Sequence, residues 1–372
     1  MAPETVQTIT RLTPLADVLA LVSAQVKPVA PRTIEIGMAA GRVLAADAMV
    51  AARPVCAIAL QDGWALAADA TLGAGSYAPA PLPAIPPRVE AGEAMPPGTD
   101  CVAPIDAVQI AQGRAQAVQT INPGEGVLPA GGDSRADMAL RSAGEHVRLT
   151  DCAALAAAGL AEIAVREPRL TLVPLRADGI VAAAARLIAA DIGHSGGIVQ
   201  QSEGEAGLAA ALTAPTADAI VAIGGTGAGR NDRSVEMLAR AGTLAVHGMA
   251  LTPGESAAFG FAGARPVLLL PGRLDAALSV WLMVGRAMLG RLAGAAGETE
   301  ERAESLPLAR KIASTVGLTE LVPVRRQAGK AEPLASKYLP LSALTRSDGW
   351  VLVPAESEGY SAGSSVQVRP WP

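Results

Sequence analysis

The stretch DAIVAIGGTGAGRND, residues 218–232, joins an apolar run, a glycine cluster and a polar end. Glycines let main-chain N–H groups approach a bound anion, and a helix that begins after them adds its positive dipole. The stretch predicts a strand that ends in a phosphate- or anion-binding loop. Asp232 follows, where it could cap the next helix or ligate Mg²⁺. A tight strand-to-helix turn without a ligand is the alternative for the loop alone.

The glycine spacing matches neither common nucleotide-binding motif. A phosphate loop needs Lys and then Ser or Thr after its last glycine, whereas Arg230 and Asn231 stand there. The dinucleotide fingerprint needs a third glycine where Arg230 lies. A generic nucleotide-binding protein is therefore disfavoured.

Cysteine and histidine chemistry is also disfavoured by number and spacing. The residues concerned are Cys56, Cys101 and Cys152, together with His146, His194 and His247. An odd number of distant cysteines argues against a disulfide framework and against a structural zinc site. Each histidine is more simply explained as a structural or solvent-facing residue.

The loop needs a scaffold, and the pattern after residue 168 supplies one. Three continuous apolar strands, RLTLVPL, DAIVAIGG and RPVLLLPG, alternate with segments of helical periodicity. This alternation predicts a mostly parallel sheet with helices on both faces. Ligands of such sheets bind at the carboxyl ends of the strands, where GGTGAG and LLLPGR both lie.

The other segments predict smaller domains around this sheet. PLADVLALVSAQV and MAAGRVLAADAMVA indicate helices within 13–50, and TDCAALAAAGLAEIAV indicates one within 137–168, capped by Thr150 or Asp151 and stopped at Gly159. Short apolar runs between Pro and Gly predict β structure elsewhere. We expect a multidomain α/β protein with a polar linker at 294–307. Its domains are a discontinuous helical domain (8–50 and 137–168), a β domain (51–136), a βα domain (169–300) and a C-terminal β domain (301–372).

Composition limits the partners and the compartment. The net charge of −5 and the absence of a basic block disfavour nucleic acid. The N-terminus has no basic start followed by an apolar core, so we expect no secretory signal. ALSVWLMVGRAMLGRLAGAAG is interrupted by Arg286 and Arg291, which predicts a buried helix and no membrane span. We expect a cytoplasmic protein.

Several segments together resemble one family. VAIGGTGAGRND resembles the signature of the molybdopterin-binding domain shared by MoeA and gephyrin-type proteins, including an aspartate soon after two glycines. Further segments resemble MoeA motifs in the same order along nearly the whole chain: AAGRVLAADAMV, ALQDGWAL, VEAGEAMPPGTDCV, GGDSRADMALRSAGEHV, HGMALTPGESAAFG, LLLPGRLDAALSVW and the tail from Leu341.

The resemblance implies a definite activity. MoeA-type proteins are four-domain, elongated dimers that insert molybdenum from molybdate into the dithiolene of adenylylated molybdopterin. AMP is released and a divalent cation, Mg²⁺, is required. The resemblance therefore implies a homodimer with a pterin substrate, and a molybdoenzyme or another cofactor-biosynthesis protein as a further partner.

The family's site residues map onto particular positions here. The resemblance implies three catalytic carboxylates: Asp62 and Asp232 match family aspartates, and Asp178 falls near a family glutamate. Asp178 and Asp232 would hold Mg²⁺. The expected substrate-binding residues are the retained Asp133, Asp218, Gly224, Gly225, Pro271 and Gly272, together with Thr226, Gly227 and Arg230 of the loop and Arg273, which replaces a family asparagine. On sequence alone, Asp62 and Asp133 could equally close Asx-turns.

Other family positions have changed. Ala91 replaces a threonine, Thr252 and Glu255 replace two lysines, and PLRADG, 174–179, lacks two family hydroxyls. Molybdate and the substrate's phosphates are anionic, so Glu255 alters this site by two charge units in the unfavourable direction. Arg230 and Arg273 could compensate, because arginine binds phosphate well. We expect Mg²⁺-dependent molybdenum insertion into adenylylated molybdopterin with AMP release; the alternative is cofactor binding as a carrier, chaperone or assembly partner without turnover.

Overall fold

The computed structural model describes residues 7–176, 178–297 and 303–372. The chain forms two compact units. The first comprises Met1–Ala46, Ala143–Leu149 and Glu162–Pro372, and the second comprises Asp47–Ser142 and Thr150–Ala161.

A six-stranded sheet is the centre of the first unit. In spatial order its strands are Ile198–Gln201, Arg169–Pro174, Ala219–Ile223, Arg265–Leu270, Ala258–Ala262 and Thr243–His247. The first four run parallel, and Ala258–Ala262 runs antiparallel to both of its neighbours, Arg265–Leu270 and Thr243–His247. The predicted mostly parallel sheet is confirmed, with one strand, Ala258–Ala262, that runs in the opposite direction.

Helices cover both faces of this sheet. They span Gly179–His194, Gly204–Thr213, Ser234–Ala241 and Leu274–Ala293, the last with a π-helical turn at Trp281–Gly285. Side chains of the strand Ala219–Ile223 alternate between two buried clusters, with Val221 on one face and Ile220 on the other. Strands buried on both faces read as continuous apolar runs, which is why the sequence predicts them well.

The apolar helix Leu274–Ala293 belongs to the core. It is long and apolar enough to cross a membrane, but 72% of its apolar window is buried inside the protein. Asp191, on the helix Gly179–His194, accepts hydrogen bonds from Trp281 Nε1 (2.6 Å) and from Arg286 Nε and Nη2 (2.9 and 2.7 Å). This buried network joins the two helices.

The N-terminal region contains less helix than the sequence predicts. One helix, Leu15–Gln25, packs its buried Val18 and Val22 into the core of the six-stranded sheet. The segment 38–51, predicted helical, instead forms a 3₁₀ turn (Ile36–Met38) and short strands. The strands of this part are Thr13–Pro14, Arg32–Glu35, Val43–Leu44 and Glu162–Arg166. Within 38–51, Val43–Leu44 pairs with Glu162–Arg166 and Ala48–Met49 pairs with Ala139–Arg141, and this pairing overrides the local helical pattern.

The second unit is built mainly of short strands, as predicted for 51–136. They span Ala48–Met49, Ile58–Ala59, Gly63–Leu66, Ala80–Pro81, Arg88–Val89, Cys101–Ala103, Val108–Ala111, Arg114–Ala117, Val127–Leu128 and Ala139–Arg141, with 3₁₀ turns at Ala68–Thr71 and Ile105–Ala107. The helix Leu149–Ala157 begins before both predicted caps. Asp151 lies inside it, buried, with its carboxylate 3.2 Å from Arg141 Nε.

A β domain ends the first unit. Its strands are Glu304–Pro307, Ile312–Ala313, Thr319–Gln327, Lys330–Pro333, Gly349–Val353, Gly359–Tyr360 and Ser365–Val368, with a helix at Leu341–Arg346. Another strand, Met249–Thr252, pairs in parallel with Thr319–Gln327 and so joins this domain to the region of the six-stranded sheet. Residues 298–302 of the predicted linker lie outside the described residues.

Candidate functional site

The glycine loop, residues 224–229, begins where the strand Ala219–Ile223 ends. Gly224 and Gly225 have φ angles of +102° and +71°, a region that glycine enters without steric cost. The Gly224 N–H donates to Leu270 O at 2.8 Å, which ties the loop to the end of the neighbouring strand. These two glycines therefore set the path of the loop by backbone geometry.

The turn Pro271–Arg273 lies directly beside the glycine loop. A Cβ on Gly272 would stand 3.5 Å from Gly224 Cα, so the two turns approach each other closely. The structure thus brings together two of the segments that the sequence places at the ligand-binding edge.

Asp232 closes the glycine loop. Its Oδ2 accepts from the Gly229 N–H at 3.1 Å, and its own N–H donates to Gly229 O at 2.9 Å. A Cβ on Gly227 would meet Asp232 Oδ2 at 2.8 Å, so this closed loop requires glycine there. Arg176 Nη2 lies 3.7 Å from Asp232 Oδ1, and Arg230 is exposed. Asp232 is not the helix cap, because Arg233 occupies that position.

Asp178 caps the helix that follows the neighbouring strand Arg169–Pro174. Its Oδ1 accepts from the N–H groups of Ile180 (3.1 Å) and Val181 (2.9 Å). Asp178 and Asp232 therefore follow adjacent parallel strands at the same edge of the sheet. Each carboxylate already accepts structural hydrogen bonds, so a bound metal ion would have to be coordinated in addition to these bonds.

Gln7 reaches the glycine loop from the far N-terminus of the chain. Its Nε2 donates to both Gly225 O and Gly227 O at 3.0 Å, and its Oε1 accepts from the Glu236 N–H at 2.9 Å. Sequence reasoning missed this residue, because a glutamine 218 positions before the loop carries no local signal.

Two further residues fix the loop from another side. The Thr226 hydroxyl, buried with the residue 2% exposed, lies 3.0 Å from Ser256 Oγ. His247 Nε2 lies 3.1 Å from Thr226 O, which agrees with a structural role for this histidine. Ser256 belongs to the turn that contains the two changed lysine positions, so Thr226 connects that turn to the glycine loop.

The turn after the strand Met249–Thr252, which we call the acidic turn (Thr252–Ser256), carries a carboxylate. The Thr252 hydroxyl donates to Glu255 Oε1, and the Gly254 N–H donates to Glu255 Oε2 at 3.0 Å. The changed residues therefore bond to each other. These two hydrogen bonds hold the Glu255 carboxyl at a position where the related motif has lysine.

A cavity of about 160 Å³ opens beside the acidic turn. It is lined by Thr252, Glu255, Ser314, Thr315, Leu318, Glu320 and Lys337. Glu320, 1% exposed, pairs with Thr252 in the strand register. Its carboxylate accepts from Ser314 Oγ and Ser336 Oγ at 2.7 Å and from the Lys337 N–H at 2.8 Å. The lining therefore contains two carboxylates and one ammonium.

Arg273, the nearest candidate for charge compensation, is already engaged. It forms a bidentate pair with the buried carboxylate of Asp275, and its guanidinium carbon lies 4.8 Å from the centre of the Tyr338 ring. The hydrogen bonds to Asp275 raise the pKa of Arg273, and the charge of Glu255 adds to this effect. Its charge is therefore largely balanced within the protein.

Three candidate carboxylates are not among the residues that contact the glycine loop or the acidic turn within the first unit. Asp218 stands at the opposite end of the strand Ala219–Ile223, roughly 17 Å from the glycine loop, and accepts from the Arg169 N–H at 2.7 Å. Asp62 and Asp133 belong to the second unit. Asp62 Oδ1 accepts from the Ala91 N–H at 2.9 Å, and the Asp133 N–H donates to Arg53 O at 2.9 Å. Both are exposed.

Cysteine chemistry has no support at this site. The three cysteines are free thiols, and only Cys56 is exposed. Burial, with the nearby charge of Asp100, raises the pKa of Cys101 to about 12. That thiol stays protonated and is a poor nucleophile or metal ligand.

The fit of Mg²⁺ rests on Asp178 and Asp232. No group of three His, Cys, Asp or Glu residues within 7–176, 178–297 and 303–372 could hold a metal ion. Mg²⁺ at phosphate sites, however, commonly uses one or two carboxylates and takes its other ligands from phosphates and water. Two carboxylates at one sheet edge fit that requirement, although Arg176 competes for Asp232.

Comparisons with known proteins give consistent results. Three family models match: the MoeA N-terminal region (domains I and II) at residues 13–159, a probable molybdopterin-binding domain at 181–291, and the MoeA C-terminal region (domain IV) at 305–371. A Methanocaldococcus jannaschii protein, provisionally named a molybdopterin biosynthesis protein, is 31% identical over 153 residues, 41% of this chain and 36% of that relative.

Solved structures give the same fold. The molybdopterin biosynthesis MoeA protein of Pyrococcus horikoshii OT3 matches with a TM-score of 0.74 and 20% identity, over 97% of this chain and 100% of that one. A molybdenum cofactor biosynthesis protein of Pyrococcus furiosus matches with a TM-score of 0.63 and 20% identity, over 97% and 100%.

Proposed function

Because this chain belongs to the MoeA family of molybdenum cofactor biosynthesis proteins, we propose that it binds adenylylated molybdopterin at the glycine loop without efficient molybdate insertion. It would then serve as a carrier, chaperone or assembly partner for the cofactor. The observation that carries this proposal is the acidic turn, where Glu255 and the buried Glu320 line the adjacent cavity and Glu255 stands where the resembling family motif has lysine.

The binding half of the proposal rests on main-chain geometry. Gly224, Gly225, Gly227 and Gly272 let the loop and the neighbouring turn approach a ligand closely. Thr226 and Asp232 hold the loop closed from within. In the proposed complex, exposed Arg230 contacts the substrate's phosphates, since arginine donates bidentate hydrogen bonds to them.

The lack of turnover follows from electrostatics. Two unit charges 4 Å apart interact by about 4 kcal/mol at a near-surface effective dielectric constant. Molybdate beside Glu255 would meet repulsion of that order where lysine would give attraction. Lys337 offsets one of the two lining carboxylates, and Arg273 is paired with Asp275.

Ligand retention tests the proposal. Purified protein is mixed with adenylylated molybdopterin, separated by gel filtration and assayed for bound pterin. We expect close to one pterin per chain. A chain that retains no pterin would contradict the proposed function, whether or not AMP is formed.

Molybdenum insertion is the second candidate, favoured by Asp62, Asp178 and Asp232, which match the family's carboxylates. Asp178 and Asp232 would hold Mg²⁺, which supplies charge neutralisation at the adenylate phosphates. This candidate requires AMP release that depends on both molybdate and Mg²⁺ and that falls in Asp232→Asn.

We also propose a homodimer. Nine exposed large apolar side chains support it, all within Asp47–Ser142: Met49, Val55, Leu60, Leu72, Tyr77, Ile85, Ile105, Ile110 and Met138. Large apolar side chains left exposed in one unit are candidates for burial against a second copy of the chain. Light scattering should give about twice the chain mass of 37.4 kDa, and a mass near the single value would refute the dimer.

A further inference from the structure

The carboxamide of Gln7 fills a three-point site made of main-chain groups. Two acceptors, Gly225 O and Gly227 O, take its two Nε2 hydrogens, and one donor, the Glu236 N–H, binds its Oε1. The site therefore binds a group with an NH₂ donor and an acceptor attached to the same carbon.

The loop and the helix Ser234–Ala241 form this site together. The Ser234 N–H and hydroxyl donate to Gly225 O at 3.1 and 2.7 Å, which fixes that carbonyl. The Glu236 N–H is one of the first-turn donors that have no partner inside a helix. A Cβ on Gly225 would meet Leu175 Cδ1 at 3.0 Å, so the position of the site is sterically defined.

We propose that this three-point site recognises the aminopyrimidine edge of a pterin, and that Gln7 occupies it as an internal competitor. The edge H₂N–C=N of the pterin ring presents the same NH₂ donor and adjacent acceptor as the carboxamide H₂N–C=O. Gln7 must leave before the ring can enter. This inference rests on the proposed function, because it names how the same glycine loop would hold the pterin.

Gln7 can leave without unfolding the segment that follows it. The Thr13 N–H donates to Gly248 O at 2.9 Å, and Thr13–Pro14 pairs with Met249–Ala250. A Cβ on Gly248 would meet Ile9 Cγ2 at 2.5 Å, so the segment 9–14 packs firmly there. Release of Gln7 therefore needs movement only of the chain before this anchor.

Replacing Gln7 tests the competition directly. Fluorescence titration is carried out with pterin (2-amino-4-oxopteridine) and with lumazine, which has a carbonyl in place of the amino group. We expect Gln7→Ala to bind pterin about tenfold tighter than the unsubstituted protein, the effect of removing a few competing hydrogen bonds. Gln7→Glu should act in the same direction, because a carboxylate cannot donate to the two carbonyls. Lumazine should show no gain.

Controls separate the ligand from the scaffold. Gln201→Ala, an exposed glutamine on the edge strand Ile198–Gln201, should leave pterin affinity unchanged. GMP carries the same aminopyrimidine edge in guanine. An equal or larger gain for GMP than for pterin would overturn the pterin assignment, and an equal gain for lumazine would overturn recognition through the amino group.

A ligand-free measurement distinguishes failure of this inference from failure of the proposed function. Hydrogen exchange at the Glu236 amide should speed up in Gln7→Ala. Faster exchange in Gln7→Ala, with no pterin binding by this variant or by the unsubstituted protein, would confirm the Gln7–Glu236 contact but overturn the pterin function. Unchanged exchange with unchanged pterin affinity would overturn the competition itself.

Discussion

The glycine loop and the acidic turn lie side by side and are connected by the Thr226–Ser256 hydrogen bond, yet they have different foundations. The loop depends on main-chain conformation, which Gly224 and Gly225 still supply. In the proposed function the neighbouring turn depends instead on side-chain charge, and it carries Thr252 and Glu255 where the resembling family motif has two lysines. Backbone-built sites persist as side chains change, whereas charge-built sites can be inverted by a single residue.

The largest expected effect is on stability, from the buried Asp191 network that joins two helices of the six-stranded sheet. Asp191→Ala should lower the free energy of unfolding by about 3 kcal/mol, because it leaves the buried Trp281 Nε1 and the Arg286 guanidinium without their carboxylate. Denaturant unfolding measures it. We expect the Asp191→Ala protein that remains folded to retain pterin binding. Loss of pterin binding by the folded variant would show that the glycine loop depends on this buried network.

Because of the Asp191 carboxylate, we also expect the stability of the protein to fall at acid pH. Burial opposes ionisation of Asp191, but its hydrogen bonds and charge interaction with Arg286 prevail and lower the pKa of this group in the folded state. Its stabilising contribution is therefore present above the unfolded aspartate pKa of about 3.9 and declines as the pH falls below it. Stability curves of the protein and Asp191→Asn should converge below about pH 4. A constant difference down to pH 2 would contradict the assignment.

A substitution that distorts the glycine loop should weaken pterin binding and leave the acidic turn unaffected. Gly225→Val places a β-branched side chain at φ +71° and against Leu175, at a cost of about 2–3 kcal/mol. Pterin affinity should fall roughly 30- to 100-fold. Gly263→Ala is the matched control, since Gly263 has φ +65° but open space around its Cβ. Equal losses of affinity in both would refute the specific role of the loop.

Reversing the charge of the acidic turn should increase its affinity for molybdate. Glu255→Lys combined with Thr252→Lys should raise molybdate affinity at least about tenfold, with strong salt dependence, because like-charge repulsion becomes attraction. Equilibrium dialysis measures it. Glu356→Lys, an exposed change in the C-terminal domain, controls for net charge. Equal gains in both variants would locate the effect outside the acidic turn.

The smallest expected effect separates capping from metal binding at Asp178. Asp178→Ala should cost about 1 kcal/mol of stability through loss of the helix cap, whereas Asp178→Asn keeps a capping oxygen and should cost less than about half of that. Pterin retention should be unchanged in Asp178→Asn with or without Mg²⁺. A Mg²⁺-dependent loss of retention in this variant would favour the insertion function.

The parts of the fold that follow a local pattern could be predicted from sequence. Three of the six strands, Arg169–Pro174, Ala219–Ile223 and Arg265–Leu270, are continuous apolar runs that the sequence predicts, and the helix Leu274–Ala293 is predicted to be buried because it is mostly apolar. The segment 38–51 was predicted wrongly, because its helical spacing of apolar residues is outweighed by strand pairing with segments distant in the sequence: Val43–Leu44 with Glu162–Arg166, and Ala48–Met49 with Ala139–Arg141.

The candidate site also combines features that a local sequence pattern predicts with contacts between distant segments that it does not predict. The closeness of the glycine loop and Pro271–Arg273 follows from parallel strands that end at one edge. The contacts of Gln7, Ser256 and Glu320 depend on distant segments meeting, and single glutamine, serine or glutamate residues have no distinctive pattern. Asp218 illustrates the converse, since nearness in sequence to the glycine loop still leaves it at the far end of the strand.

A single-turnover measurement of AMP tests the central claim most directly. Adenylylated molybdopterin is bound to the protein, molybdate and Mg²⁺ are added, and AMP and retained pterin are followed in the same sample. The account predicts that pterin stays bound while AMP forms no faster than in a protein-free control. AMP formed in amounts equal to bound ligand, and only with molybdate present, would show that the acidic turn does not prevent insertion and would contradict the account.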